Sequence, residues 1–231
     1  TYSTPVSWNN SIDYVVSFYV LEHVSALENV MLNIRNVLKE GGQFYFIIPN
    51  TYENIADFVV ADHVNHFSSQ SLMRMMANFG FTNISIDSTT HDSAFIVSGS
   101  KSSTICETIA PTDLATLKSD AEKIATYWQH IADKINDFEK TSKVNKLAIY
   151  GAGFYGAFIY SHLNNPSRIC YFIDQNLHRI GKKQFGVSII SPDDLPSDIG
   201  AIFVGLNPKQ AKDIIANLAV ISEKRLPMLF L

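Results

Sequence analysis

The feature that most constrains the fold is Gly151-Ala152-Gly153-Phe154-Tyr155-Gly156, set between an apolar run at Lys146 to Tyr150 and a helical stretch reaching Leu163. A second apolar run, Ile169 to Ile173, follows and ends at Asp174. A glycine turn joining strand to helix to strand demands a parallel strand pair with the helix as crossover. Gly151 permits the tight turn, Gly153 lets backbone N–H groups approach an anion, and the helix N-terminus favours negative charge. Further strands are expected at Val187 to Ile190, Ala201 to Val204 and Met228 to Leu231, with a helix from Pro208 to Ile221. The last third of the chain therefore reads as a compact, parallel α/β unit.

The first hundred residues carry a second series. Ile12 to Tyr19 (IDYVVSFY) is apolar and β-branched, the pattern of a strand buried on both faces. Ala26 to Lys39 shows a helical apolar face, which Gly41-Gly42 is expected to stop. Gln43 to Ile48 reads as a strand ended by Pro49-Asn50, and Ser71 to Phe79 as a helix closed by Gly80. Asn83 to Asp87 and Ala94 to Ser98 then read as a strand pair, with antiparallel pairing open to them.

Between the two series, Leu114, Leu117, Ala121, Ile124, Trp128, Ile131, Ile135 and Phe138 recur at steps of three and four. That spacing predicts a helix of roughly 30 residues, about 45 Å long. It suits a connecting helix, and equally a dimerising pair in a homodimer. The expected organisation is thus 1–108, a connecting helix at 109–143, and a Rossmann-like unit at 144–231.

Composition narrows the function classes. A net charge of −4 argues against broad affinity for nucleic acid. No apolar run reaches the ~20 residues that span a bilayer, so no membrane association is expected. Cys106 and Cys170 stand far apart without CxxC spacing, which suggests a reducing, cytoplasmic setting.

Asp13 to Val24 (DYVVSFYVLEHV) resembles the fourth strand and following turn of class I S-adenosylmethionine (SAM)-dependent methyltransferases. Leu38-Lys39-Glu40-Gly41-Gly42, Pro49-Asn50 and Gly80-Phe81 match later landmarks of that family. The resemblance implies a partial class I methyltransferase sheet, SAM as cofactor, and cofactor-side positions at Phe18, Tyr19, Glu22 and His23. The family's glycine-rich SAM loop lies on strands that do not appear before Asp13. The expectation is that the chain is the acceptor-side part of a longer protein; a degenerate fragment is the other option.

Asp62-His63-Val64-Asn65-His66-Phe67-Ser68 resembles a motif of sugar C-methyltransferases. There a His in the position of His63 removes the proton beside a sugar ketone. The resemblance makes His63 the base, Asp62 its orienting carboxylate, and His66 a stabiliser of the developing oxyanion. The acceptor implied is a small molecule, a nucleotide-linked keto-sugar. Asp62, His63 and His66 offer a candidate set of metal ligands, but no third strong ligand stands nearby and no metal site is expected. A structural loop at a helix entrance remains an alternative.

The segments Phe172 to Asn176, Gly181-Lys182, Phe185 to Val187 and Ile190 to Leu195 resemble the C-terminal domain of the same enzymes. That resemblance turns the glycine motif towards the acceptor, with Asn50, Gly151, Gly153, Phe154, Tyr155 and Asp174 as substrate-side candidates. NAD(P) binding by an oxidoreductase, a purely structural glycine turn, and a non-catalytic assembly module remain the rival readings.

Overall fold

A computed structural model describes residues 4–104 and 113–231. Cys106 and the first residues expected of the long helix lie outside the described residues. The chain divides into two compact α/β units, 1–125 and 126–231.

In the first unit, β1 (Ile12–Phe18), α1 (Leu27–Val37), β2 (Leu38–Pro49), α2 (Ser69–Asn78), β3 (Phe81–Asp87) and β4 (Ala94–Lys101) follow in order. The sheet runs β1-β2-β4-β3, with β1 and β2 parallel and the other pairs antiparallel. Phe44, Phe46 and Ile48 alternate inward along β2 and meet Phe81, Phe95, Val97, Met31, Leu72 and Met76. Period-two alternation against two helical faces accounts for this core. Ser68 and Ser71 form a reciprocal capping box at the start of α2, and Gly80 follows its end at φ +73°.

Two expectations change. β1 is buried on neither face throughout its length: Tyr14, Val16 and Phe18 are more than half exposed. The reason is position, since β1 is an edge strand among the described residues. Gly41-Gly42 does not stop α1, which has already ended at Val37. The pair sits inside β2, where pairing jumps from Ile12–Leu38 to Tyr14–Gln43. Gly41 supplies the left-handed φ of +77° that this bulge needs.

A single helix, α3 (Leu114–Thr141), crosses the junction at 125/126. The second unit then contains β5 (Leu147–Tyr150), α4 (Phe154–His162), β6 (Ile169–Ile173), β7 (Lys183–Gln184), β8 (Val187–Ile190), β9 (Ala201–Val204), α5 (Ala211–Ala216), α6 (Ala219–Ser222) and β10 (Met228–Phe230). Its sheet order is β10-β9-β5-β6-β8-β7, parallel except for β7. The strand order reverses between β5 and β9, the kind of switch point where parallel sheets open a crevice. The single helix expected from Pro208 to Ile221 is two short helices, with Asn217-Leu218 between them. Trp128, Ile131 and Ile135, all in the predicted stripe, are buried in this unit.

Candidate active site

The site of the first unit grows from the C-terminal end of β1. Tyr19 leaves the strand at φ +53°, a conformation that costs a non-glycine residue energy. Its N–H is tied to the Ile47 carbonyl at 2.9 Å, and a 3₁₀ turn, Leu21–His23, follows. The loop carrying the histidine cluster is laced onto this turn. The N–H groups of Val64 and Asn65 donate to the Glu22 carbonyl at 2.8 and 3.0 Å. The Asn65 side-chain amide donates to Leu21 and Val24 carbonyls at 2.8 and 2.7 Å. Residues some forty positions apart are thereby brought together.

Asp57 is the centre of the cluster. It stands on the 3₁₀ turn Ile55–Val59 with 1% of its surface exposed. Its Oδ1 lies 2.6 Å from His63 Nδ1, and its Oδ2 lies 2.9 Å from His66 Nδ1. Thr51 Oγ1 donates to Oδ2 at 2.7 Å and accepts from the Phe67 N–H at 3.0 Å. An ionised carboxylate only accepts hydrogen bonds, so both imidazoles present a protonated Nδ1 to it. Each neutral ring is then left with its lone pair on Nε2, the form a general base needs.

The carboxylate that orients His63 is therefore Asp57 rather than Asp62. Asp62 is three-quarters exposed and turns to His23, whose Nδ1 lies 3.3 Å from its Oδ2 and 3.1 Å from its carbonyl. The two rings of His23 and His63 meet edge to face with centroids 4.7 Å apart. His66 packs against Phe58 at 5.2 Å. Asp57 does not stand out in the sequence because it precedes the His motif inside an otherwise apolar stretch. The six-residue spacing to His63 is the only hint, and it means nothing without the turn.

Glu22 is buried to 1% exposure, and its Oε2 has no hydrogen-bond partner among the described residues. Burial pushes its carboxyl above the ordinary value, with its own backbone N–H and the neighbouring His23 and His63 opposing the rise. Burial and the Glu22 charge also raise the Tyr19 phenol, whose oxygen lies 3.2 Å from His91 Nε2. Phe18 is half exposed, edge-on to Tyr45. Asn50 is buried and caps the turn after β2, with Oδ1 accepting from the Tyr52 N–H and its carbonyl accepting from Glu53 and Asn54.

In the second unit the three glycines of the motif have unlike environments. A Cβ on Gly151, which has φ +97°, would stand 2.3 Å from the Gly205 carbonyl oxygen. One on Gly156 would stand 1.9 Å from the Gly151 carbonyl oxygen, so these glycines exist for close packing of α4 on the strand ends. Gly153 alone of the three has nothing within 4 Å of such an atom. Asp174 accepts from the Ala152 N–H at 2.8 Å through Oδ2 and from the Asn176 N–H at 2.8 Å through Oδ1. Arg179 donates to the Ala152 carbonyl. The turn is thus braced by the acidic residue that a dinucleotide fingerprint reserves for ribose. Phe154 and Tyr155 pack on Trp128, with centroids 6.3 and 6.2 Å away. Burial pushes the Tyr155 phenol up to about 12.

Residues 6–86 match the family model for a methyltransferase domain. No curated protein matches the chain. Among solved structures, a SAM-dependent methyltransferase from Mesorhizobium loti is similar at 13% identity over 44% of this chain and 65% of its own, with a TM-score of 0.36. A possible histamine N-methyltransferase from Thermotoga maritima shows 17% identity over 40% and 57%, with a TM-score of 0.34. The CurJ carbon methyltransferase shows 12% identity over 41% and 31%, with a TM-score of 0.35. This chain spans less than two thirds of each of those three chains.

Proposed function

We propose that this protein transfers a methyl group from S-adenosylmethionine to a small acceptor, by proton abstraction from carbon at His63. The observation that carries the proposal is the buried Asp57 carboxylate 2.6 Å from His63 Nδ1, within the segment that matches the methyltransferase domain. It fixes the tautomer whose Nε2 is free to take a proton and steadies the imidazolium that results.

The cofactor fits the C-terminal end of β1, where a parallel strand ends in an exposed aromatic turn. Phe18, Tyr19, Glu22 and His23 are the residues that would hold it. When bound, the sulfonium supplies an electrophilic methyl group. His63 withdraws the proton beside a carbonyl, which leaves a carbon nucleophile for that methyl. His66 shares the Asp57 carboxylate through Nδ1, and only its doubly protonated form would offer an Nε2–H to the developing oxyanion as a preorganised donor.

The acceptor we propose is a nucleotide-linked keto-sugar. Within the second unit, the open space at Gly153 and the N-terminus of α4 would suit a phosphate group, the one part of the glycine turn that is not taken up by packing. In the rival assignment of this turn, NAD(P), the ribose would share Asp174 with the Ala152 and Asn176 N–H groups that its two oxygens already hold.

The test is equilibrium binding of SAM, NAD and a nucleotide-sugar to the protein, combined with His63→Ala. SAM binding should persist in the variant while methyl transfer falls to background. NAD binding without any SAM response, or an active His63→Ala, would refute the reading.

A further inference from the structure

We propose that Glu22, His23 and His63 form a binding site for a divalent transition metal of the zinc type, with a coordination position left open. One ligand atom from each residue lies within 4.8 Å of the other two. The distances fit a site that closes by about an ångström on loading, since tetrahedral ligands at zinc bond lengths stand roughly 3.4 Å apart.

Three observations converge. Glu22 Oε2 is a fully buried carboxylate oxygen with no partner among the described residues, and a carboxylate left so lacks the compensation that burial demands. Both imidazoles are held at Nδ1, His63 by the Asp57 carboxylate at 2.6 Å and His23 by the Asp62 main-chain carbonyl at 3.1 Å, with the Asp62 carboxylate 3.3 Å away. Metal-bound histidines characteristically donate their second ring nitrogen to a carboxylate, which sets the tautomer and strengthens the ligand. That leaves the two Nε2 lone pairs as the available ligands, and His23 Nε2 already lies 4.0 Å from Glu22 Oε1.

Two histidines, one carboxylate and an open position suit zinc chemistry. The sequence pattern hid this set because Glu22 and His63 are 41 residues apart, and because His66, the obvious second histidine, is not among the described residues that gather with Glu22 and His23. A metal on His63 Nε2 would occupy the lone pair that proton abstraction uses, so the loaded and proton-abstracting forms are alternative states.

The site does not depend on the methyl-transfer reading, and its test needs no SAM. Titration of the metal-free protein with Co²⁺ should give one equivalent bound, with visible d–d absorption of a four- or five-coordinate N/O site, and Zn²⁺ should displace it. Glu22→Gln should weaken binding at least ~10²-fold, and Asp57→Asn roughly 10- to 100-fold through His63. His23→Ala removes a ligand on a surface-accessible ring, so the fold should survive while binding is lost; circular dichroism checks this. Failure of the protein to bind Co²⁺, or unchanged affinity in either Glu22→Gln or folded His23→Ala, would overturn the proposal. Either result would leave the SAM and His63→Ala measurements standing.

Discussion

Gly156→Ala is the sharpest test of the packing argument for the glycine turn. The added Cβ would sit 1.9 Å from the Gly151 carbonyl oxygen and 3.0 Å from its carbon, where ordinary contact begins at 3.4 Å. Backbone on both sides must therefore separate by 3.4 − 1.9 = 1.5 Å, and no side-chain rotation relieves the overlap. Overpacking of a tight interior costs about 1–3 kcal/mol, and a displacement against backbone belongs at the upper end. Alanine in a helix recovers up to about 1 kcal/mol. The net expectation is a loss of about 2 kcal/mol from the second unit. Trp128 reports on it, because it is buried and touches Tyr155 and Phe158 of α4. With a urea slope of about 2 kcal/mol per molar, its fluorescence midpoint should fall by about 1 M. Gly153→Ala is the matched control: with open space at Cβ and φ −97°, its midpoint should stay within about 0.3 M. A Gly156→Ala midpoint as high as that of Gly153→Ala would refute the assignment of Gly156 to packing.

Asp57→Asn keeps the shape but presents an amide to His63 and His66; methyl transfer should fall ~10³-fold with SAM affinity little changed, as read in single-turnover and binding assays. Asn65→Ala removes two hydrogen bonds that lace the histidine loop to the Leu21–His23 turn, and should destabilise the first unit by about 2 kcal/mol in urea unfolding. Glu22 supplies a pH prediction. Its folded carboxyl titrates above the ordinary value of 4.5, so the native state binds the proton more tightly than the unfolded chain. Its contribution is present below 4.5 and is lost as pH rises through the raised value. Stability measured across that range should fall less steeply in Glu22→Gln than in the parent; identical slopes would count against a buried, strained carboxyl.

The placement of β1 and Asp57 shows how far the amino-acid pattern could be read. Ile12 to Phe18 is recognisable as a strand from its β-branched run, yet such a run cannot distinguish a central strand from an edge. The bulge at Gly41-Gly42 is similar: two glycines after a helix read as its end, while pairing with β1 turns them into a kink within β2. The histidine motif is legible as chemistry, but the sequence points to the adjacent Asp62 as its partner. In the loop, Asp62 turns to His23, and the 3₁₀ turn after β2 presents Asp57 instead. The adjacent acid in sequence is not the adjacent acid in space.

What the chain's own order determined is local: the alternation of strands and helices, the strand–glycine–helix turn at Gly151, and the presence of near-neutral bases beside acids in one short loop. These follow from periodicity, turn conformation and side-chain chemistry, which act over a few residues. Tertiary structure alone decided which carboxylate orients His63, which glycines serve packing, and that Glu22 meets two imidazoles with an oxygen to spare. Those outcomes depend on hydrogen bonds such as Val64 and Asn65 to the Glu22 carbonyl, which join segments some forty residues apart. Such pairings leave no periodic trace in the sequence, because backbone N–H and carbonyl groups are the same at every position.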